Sequence, residues 1–144
     1  MRKHFGYLVD LEGDPDGGVL ATFADVPEAI THGDDRDDAI RSAQEALAVA
    51  LFGYLKEGRK LPTAAAKRRS GTLVAPQATD VLKIAVVEAW QQSGFSKSEF
   101  ARILGVDEKE ARRILDPDSA TKADRLEEAL SAPGRKLHIA VETA

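Results

Sequence analysis

The chain has 144 residues, of which 43% are hydrophobic and 31% charged, with a formal net charge of −4 and no cysteine. That length suits one domain or two small ones, and the absence of cysteine excludes disulfide frameworks and thiolate metal sites. No apolar run approaches the length of a bilayer span, and the opening MRKHFGYLVD lacks the apolar core of a secretory signal, so a cytoplasmic protein without a membrane partner is expected.

In chain order, Lys3 to Asp10 alternates Phe5, Tyr7 and Val9 with His4, Gly6 and Leu8, the period of a strand. Glu12 to Gly18 is dense in turn formers and predicts a hairpin loop, with Val19 to Phe23 as the returning strand. Ala29 to His32 is a third strand. Gly33 and Asp34 then open a long helix, in which Ile40, Ala43, Leu47, Ala50, Leu51, Tyr54 and Leu55 form one apolar stripe able to cover a sheet. Asp34, Asp35, Asp37 and Asp38 stand at its start, where carboxylates favour the positive end of the helix dipole. A short strand at Thr72 to Ala75 is expected at the sheet edge, so the predicted module is α+β, with three to four strands and one long helix.

The ordered motifs of this module are Asp16, Gly17 and Gly18 in the hairpin, then Phe23, Asp25 and Pro27, then Thr31, Gly33 and Asp34, then Ala39, Ala43, Ala46 and Leu47 in the helix. Over residues 1 to 62 they resemble the HicB antitoxin family. The resemblance implies a partial RNase H-like fold that neutralises a small mRNA-cleaving ribonuclease toxin, HicA. It also implies a ribbon-helix-helix or helix-turn-helix module further along the chain, and repression of the protein's own operon.

Nuclease chemistry of the RNase H type needs several carboxylates converging on two metal ions. Asp10 closes the first strand, but Asp14, Asp16 and Asp34 fall in a loop or at a helix cap, where turn and cap roles account for them. The three histidines form no set: His4 and His32 are candidates for neighbours across strands, and His138 is remote. No enzyme, metal or cofactor is expected. Residues 1 to 62 carry seven Lys or Arg against twelve Asp or Glu, a surface suited to a basic toxin and equally to simple solubility. With the toxin implied by the resemblance, Asp10, Glu12, Asp14, Asp16 and Phe52 are its candidate contacts. Val49, Phe52 and Ala48 fall off the main helical stripe and offer a second surface to the toxin or to an identical subunit, or a cover for the linker.

Residues 63 to 77 read as a linker containing the short strand, with Lys67, Arg68 and Arg69 suited to a phosphate backbone or to a solvated hinge. Residues 78 to 144 read as a second, mostly helical domain. Its first helix, ATDVLKIAVVEAWQQSG, has apolar positions Val81, Leu82, Ala85, Val86, Ala89 and Trp90. Next, Ser96 with Glu99 forms a capping box, Gly105 supplies the left-handed exit, and Asp107 with Glu110 starts another helix. Phe100, Ile103, Leu104, Val106, Ala111, Ile114 and Leu115 make the inner side of this pair. Pro117 ends the second helix, and a further one starts at Thr121 and exits at Gly134. The four helices over residues 78 to 134, and above all the spacing Ala101, Gly105, Ala111, Ile114, resemble the Xre-type family of phage-repressor-like DNA-binding domains.

By the docking mode of such domains, Lys109 and Arg112 face base edges, Arg113 an edge or phosphate, and Ser96, Lys97, Thr121 and Lys122 the phosphates. Residues 76 to 144 nevertheless hold ten basic against twelve acidic side chains, so modest affinity per subunit and action as a dimer are expected. Lys136 to Glu142 alternates Leu137, Ile139 and Val141 with polar residues and reads as a C-terminal dimerisation strand, or one docked on the first sheet. The reading is therefore an antitoxin and autorepressor with a HicA-like ribonuclease toxin, operator double-stranded DNA and a second copy, or a higher homo-oligomer, as partners. The alternative is a stand-alone regulator whose α+β domain senses a ligand or oligomerises.

Overall fold

A computed structural model describes residues 2–64 and 71–143. The chain divides into two compact units, Met1–Val81 and Leu82–Ala144. Lys67, Arg68 and Arg69 lie outside the described residues.

The first unit holds β1 (Tyr7–Gly13), β2 (Val19–Thr22), β3 (Ile30–Gly33), α1 (Arg36–Lys56) and β4 (Thr72–Val74). The strands form one antiparallel sheet in the order β3-β2-β1-β4. The edge strand expected near Thr72 is thus present. β1 begins and ends later than the alternation predicts, because a strand is bounded by its partners: β4 pairs Tyr7 to Val9 and β2 pairs Asp10 to Gly13, so Glu12 and Gly13 belong to the ladder and the segment before Tyr7 does not. The hairpin closes through the Asp14 N–H to the Gly18 carbonyl at 3.0 Å and the Gly17 N–H to the Asp14 carbonyl at 2.9 Å.

α1 starts at Arg36 rather than at Gly33, since Gly33 still belongs to β3 and Asp35 is the N-cap, its side chain accepting from the Asp38 N–H at 2.8 Å. Asp38 in turn accepts from the Asp34 N–H at 2.8 Å. Gly33 has no alternative at this junction: a Cβ there would lie 2.2 Å from the Ala39 nitrogen. Ala39, Ala43, Leu47, Ala48, Leu51, Tyr54 and Leu55 bury one side of α1 against the sheet face carrying Tyr7, Val9 and Ala21, with Phe23 and Val26 beneath. Each large apolar side chain so buried contributes about 1.5–3 kcal/mol. Ile40 and Ala50, expected in the stripe, are only partly covered, while Ala48, expected off it, is buried; the buried side is rotated by a residue because Ala39 meets β3 at Gly33.

The second unit is built on α2 (Ala78–Ser93), α3 (Lys97–Leu104), α4 (Glu108–Leu115) and α5 (Ala123–Ala129). Its core joins Leu82, Val86, Phe100, Ala101, Ala111, Ile114, Leu115, Leu126, Ala129 and Leu130, with Trp90, Leu104, Val106 and Leu137 packed against it. Ile103 departs from the expected inner side and is exposed, as α3 is too short to bury two flanks. α5 begins at Ala123, not Thr121, whose hydroxyl is engaged elsewhere. No strand forms between Lys136 and Glu142. Alternation alone supplies no partner: the sheet of the first unit ends at β3 and β4, Leu137 turns onto the helical core, and Ile139 and Val141 stand 73% and 93% exposed.

Candidate nucleic-acid interface

The α3–α4 pair is fixed by local chemistry. Ser96 Oγ accepts from the Glu99 N–H at 3.0 Å while Glu99 Oε1 accepts from the Ser96 N–H at 3.2 Å, the reciprocal capping box. Gly105 ends α3 at φ 77°, and its N–H and that of Val106 both reach the Ala101 carbonyl, at 2.9 and 3.0 Å. Two residues on, Asp107 caps α4 by accepting from the Glu110 N–H at 2.8 Å. Ala111, Ile114 and Leu115 bury one side of α4, leaving Glu108, Lys109, Arg112 and Arg113 exposed.

Each acid of this helix start has an intramolecular engagement. Glu108 accepts from Ser98 Oγ at 2.6 Å and lies 3.6 Å from Arg112, an exposed i,i+4 pair. Glu110 is ion-paired with Arg125 of α5, whose Nε donates to it at 2.7 Å and whose other arm reaches Glu128 at 3.2 Å. These carboxylates hold the Arg125 guanidinium above its ordinary pKa, Glu110 most strongly. Lys109 and Arg113 make no ion pair among the described residues. Both line a groove of about 630 Å³ beside α4, together with Thr121, Lys122 and Arg125 and with the carboxylates Asp107, Glu110, Asp124 and Glu128. Four of the residues expected to meet DNA are therefore gathered on one groove. Arg112, Ser96 and Lys97 lie outside it, with the Lys97 ammonium 6.0 Å from the Trp90 ring centre.

Lys83 is the residue that sequence patterning missed. It sits within an apolar run of α2, only 4% exposed, and its Nζ donates to the Arg113 carbonyl at 2.9 Å, the Ile114 carbonyl at 2.8 Å and Thr121 Oγ1 at 2.8 Å. One buried ammonium thus ties α2 to the last turn of α4 and to the segment leading into α5. Burial lowers its pKa from 10.5 to about 8, against an opposing pull from Asp116. The signal was a lone lysine between Leu82 and Ile84; its acceptors, 30 to 38 positions on, carried none. Arg125 was missed for the same reason.

The acidic candidates of the first unit are not brought together as one set. Asp10 and Glu12 are exposed on β1, on the side opposite Tyr7 and Val9. Asp14 organises the hairpin, accepting from the Asp16 N–H at 2.9 Å and standing 3.6 Å from His32. Phe52 lies on α1, across the sheet from Asp10 and Glu12. His4 and His32 are not cross-strand neighbours: His32 pairs with Leu20, and β2 separates β3 from β1. Among the described residues no group of three or more His, Cys, Asp or Glu could hold a metal ion, and no helix is long and apolar enough to cross a membrane.

Residues 6–85 match the family described as the HicB-like antitoxin of bacterial toxin-antitoxin systems. The chain belongs to the HicB-like antitoxin family. It is 34% identical over 139 residues to Antitoxin HicB 2 of Photorhabdus laumondii, covering 96% of this chain and 98% of that protein. Antitoxin HicB of Pseudomonas fluorescens is 31% identical over 141 residues (97% and 96%), and Antitoxin HicB of Escherichia coli K12 is 29% identical over 133 (92% and 96%). These alignments run beyond the matched family region into the helical unit. Within the HicB-like fold the motif residues of the first unit are architectural: Phe23 and Val26 fill the core, and Gly33 lets β3 meet α1. An antitoxin role in a toxin-antitoxin system follows from the family.

Proposed function

We propose that this HicB-like antitoxin neutralises a HicA-like ribonuclease toxin by direct binding through its first unit and represses its own operon by binding operator DNA through its second. Its setting is the cytoplasm. The observation that carries the DNA half is the pairing pattern on α4: Glu108 and Glu110 are engaged within the protein while, among the described residues, Lys109 and Arg113 make no ion pair, beside Thr121 and Lys122, on one exposed groove. Lys109 and Arg112 read base edges in the major groove, and Arg113, Thr121, Lys122, Ser96 and Lys97 hold phosphates. Arg112 leaves Glu108 at little cost, since such exposed pairs are worth about 0.3–0.5 kcal/mol. Thr121 accepts from Lys83, which orients its own O–H outward as a donor. Two copies joined through Ile139 and Val141, with Leu137 anchoring the segment, present two such helices to paired half-sites.

The test uses the full chain and the DNA upstream of its own reading frame. Lys109→Ala and Arg113→Ala each weaken binding and each lower the slope of log affinity against log salt by roughly 1. Unchanged affinity and slope in the double variant overturn the DNA assignment. In the second arm, co-expression relieves the growth arrest caused by the small basic protein of the adjacent reading frame. A chain that binds DNA yet neither binds nor silences that protein is instead the stand-alone regulator.

A further inference from the structure

Among the described residues of the first unit, the sheet is covered on one side, by α1. Tyr7 and Val9 of β1 and Ala21 of β2 point toward α1 and are buried, so by alternation Leu8, Asp10 and Glu12, with Leu20 and Thr22, point the other way. Register extends this face across the sheet, because directly paired residues share a side: Leu8 stands opposite Leu73, Asp10 opposite Thr22, Glu12 opposite Leu20, Thr22 opposite Ile30 and Leu20 opposite His32. The contact at Gly6 agrees, as a Cβ there would lie 3.0 Å from the Leu73 side chain, two residues from Leu8 and on its side. Ile30 is 62% exposed and Leu73 58%, and Asp10, Glu12 and His32 are exposed as well. An apolar band of Leu73, Leu8, Leu20 and Ile30 therefore crosses all four strands with two carboxylates set into it.

The charge of this face selects its occupant. None of the strand residues is Lys or Arg. The outward side of α1, by contrast, mixes Arg41, Glu45 and Lys56 around the exposed Val49. Carboxylates repel a phosphate backbone, which rules out nucleic acid, and two copies of the face would set acid against acid. A basic protein surface with an apolar centre fits both features: its cations meet Asp10 and Glu12 while its apolar groups cover Ile30 and Leu73. A ribonuclease must present cations to its RNA, and a partner on this face would have those cations occupied.

We infer that the toxin docks on the helix-free face of the sheet, with Ile30 and Leu73 as apolar anchors and Asp10 and Glu12 as its charge contacts, and that Phe52 on the opposite side takes no part. The inference rests on the reading of this chain as the partner of a basic toxin. The probe is the small basic protein encoded beside this chain, in a catalytically inactive variant, titrated against the full-length antitoxin by calorimetry. Wild-type binding tests the toxin reading itself. Given that binding, Ile30→Lys combined with Leu73→Lys weakens it by roughly 100-fold or more, the loss expected for central anchors. Glu12→Arg weakens it further, and Val49→Lys with Phe52→Ala leaves it within about threefold. Both anchors are exposed, so folding is preserved, and operator binding and the circular-dichroism melt of each variant serve as controls. Wild-type affinity in the sheet-face variants, or loss of binding confined to the α1 variants, overturns the inference. So does loss of self-association with toxin binding intact, which makes the face an interface between copies.

Discussion

Replacing Lys83 by Met is the sharpest perturbation this fold offers, because it removes one charge and three hydrogen bonds from the seam between α2, α4 and α5. The side chain is 4% exposed, and its folded pKa of about 8 lies below the 10.5 of the free group. That depression corresponds to roughly 3 kcal/mol of desolvation cost borne by the folded state below pH 8. Against it stand three charge-assisted bonds, each worth about 1.5–3 kcal/mol. Methionine of similar length removes the cost but leaves the Arg113 and Ile114 carbonyls and the Thr121 hydroxyl without their donor, so the variant is destabilised by about 2–4 kcal/mol at pH 7. The pH dependence is more specific. Between pH 8 and 10.5 the unfolded chain holds the proton that the folded one has released, so this lysine makes wild-type stability rise with pH across that window. The stability gap between wild type and Lys83→Met should widen by about 2.5 kcal/mol from pH 6 to pH 10. Trp90, the single tryptophan, packs against the core of the same unit, so its fluorescence during urea unfolding follows the relevant transition, and groups common to both proteins cancel in the difference. A gap that stays constant within about 0.5 kcal/mol over that range would refute the buried-ammonium account.

Three further outcomes are expected. Gly105→Ala places a Cβ in the left-handed region at φ 77° without any clash, so it should cost about 1–2 kcal/mol in chemical denaturation, all of it backbone strain. Arg125→Ala releases Glu110 beside the groove and should weaken operator binding more than loss of one phosphate contact does; Glu110→Gln in the same background should restore most of it, as read by fluorescence anisotropy at two salt concentrations. If the proposed pairing of two copies holds, Ile139→Asp with Val141→Asp should give folded monomers in sedimentation velocity, whereas Leu137→Asp should lower the melting temperature of the unit itself, since Leu137 lies against the helical core.

What the sequence made legible was the chemistry closed within a few residues. The Ser96–Glu99 box, the Gly105 exit and the Asp107 cap all formed as read, because donor and acceptor lie within one turn of each other. The apolar face of α1 was legible to within one residue, whereas Ile103 of α3 was misplaced on the inner side. Boundaries set by distant partners were not. β1 is displaced because β4, more than sixty positions away, decides where its ladder begins, and Lys136 to Glu142 has a strand's alternation without a neighbour to pair with. Lys83 interrupts a hydrophobic pattern in the sequence and completes a polar one in space. Its three acceptors are 30, 31 and 38 residues distant.

The same distinction resolves the excess of acid around α4. A count of charges sets Asp107, Glu108 and Glu110 against Lys109, Arg112 and Arg113 and gives no net attraction for phosphate. The field at a groove, however, depends on where each charge is already satisfied. Glu110 is ion-paired with Arg125, which is itself a groove residue, whereas Asp107 caps the Glu110 N–H with its charge retained and Glu108 holds Ser98 and, in the free protein, Arg112. The groove sets Lys109, Arg113, Lys122 and Arg125 beside Asp107, Glu110, Asp124 and Glu128, and two of those four acids are ion-paired with Arg125. Pairing of Glu110 and Glu128 with Arg125 therefore offsets part of the acid around α4. The ion pairs that make this possible are also those that hold α4 to α5, so adding salt should weaken DNA binding by two routes, phosphate screening and release of Glu110. Glu110→Gln removes the second route alone. The salt dependence of operator binding in that variant should consequently be shallower than in wild type, although none of the cations proposed to contact DNA has been changed.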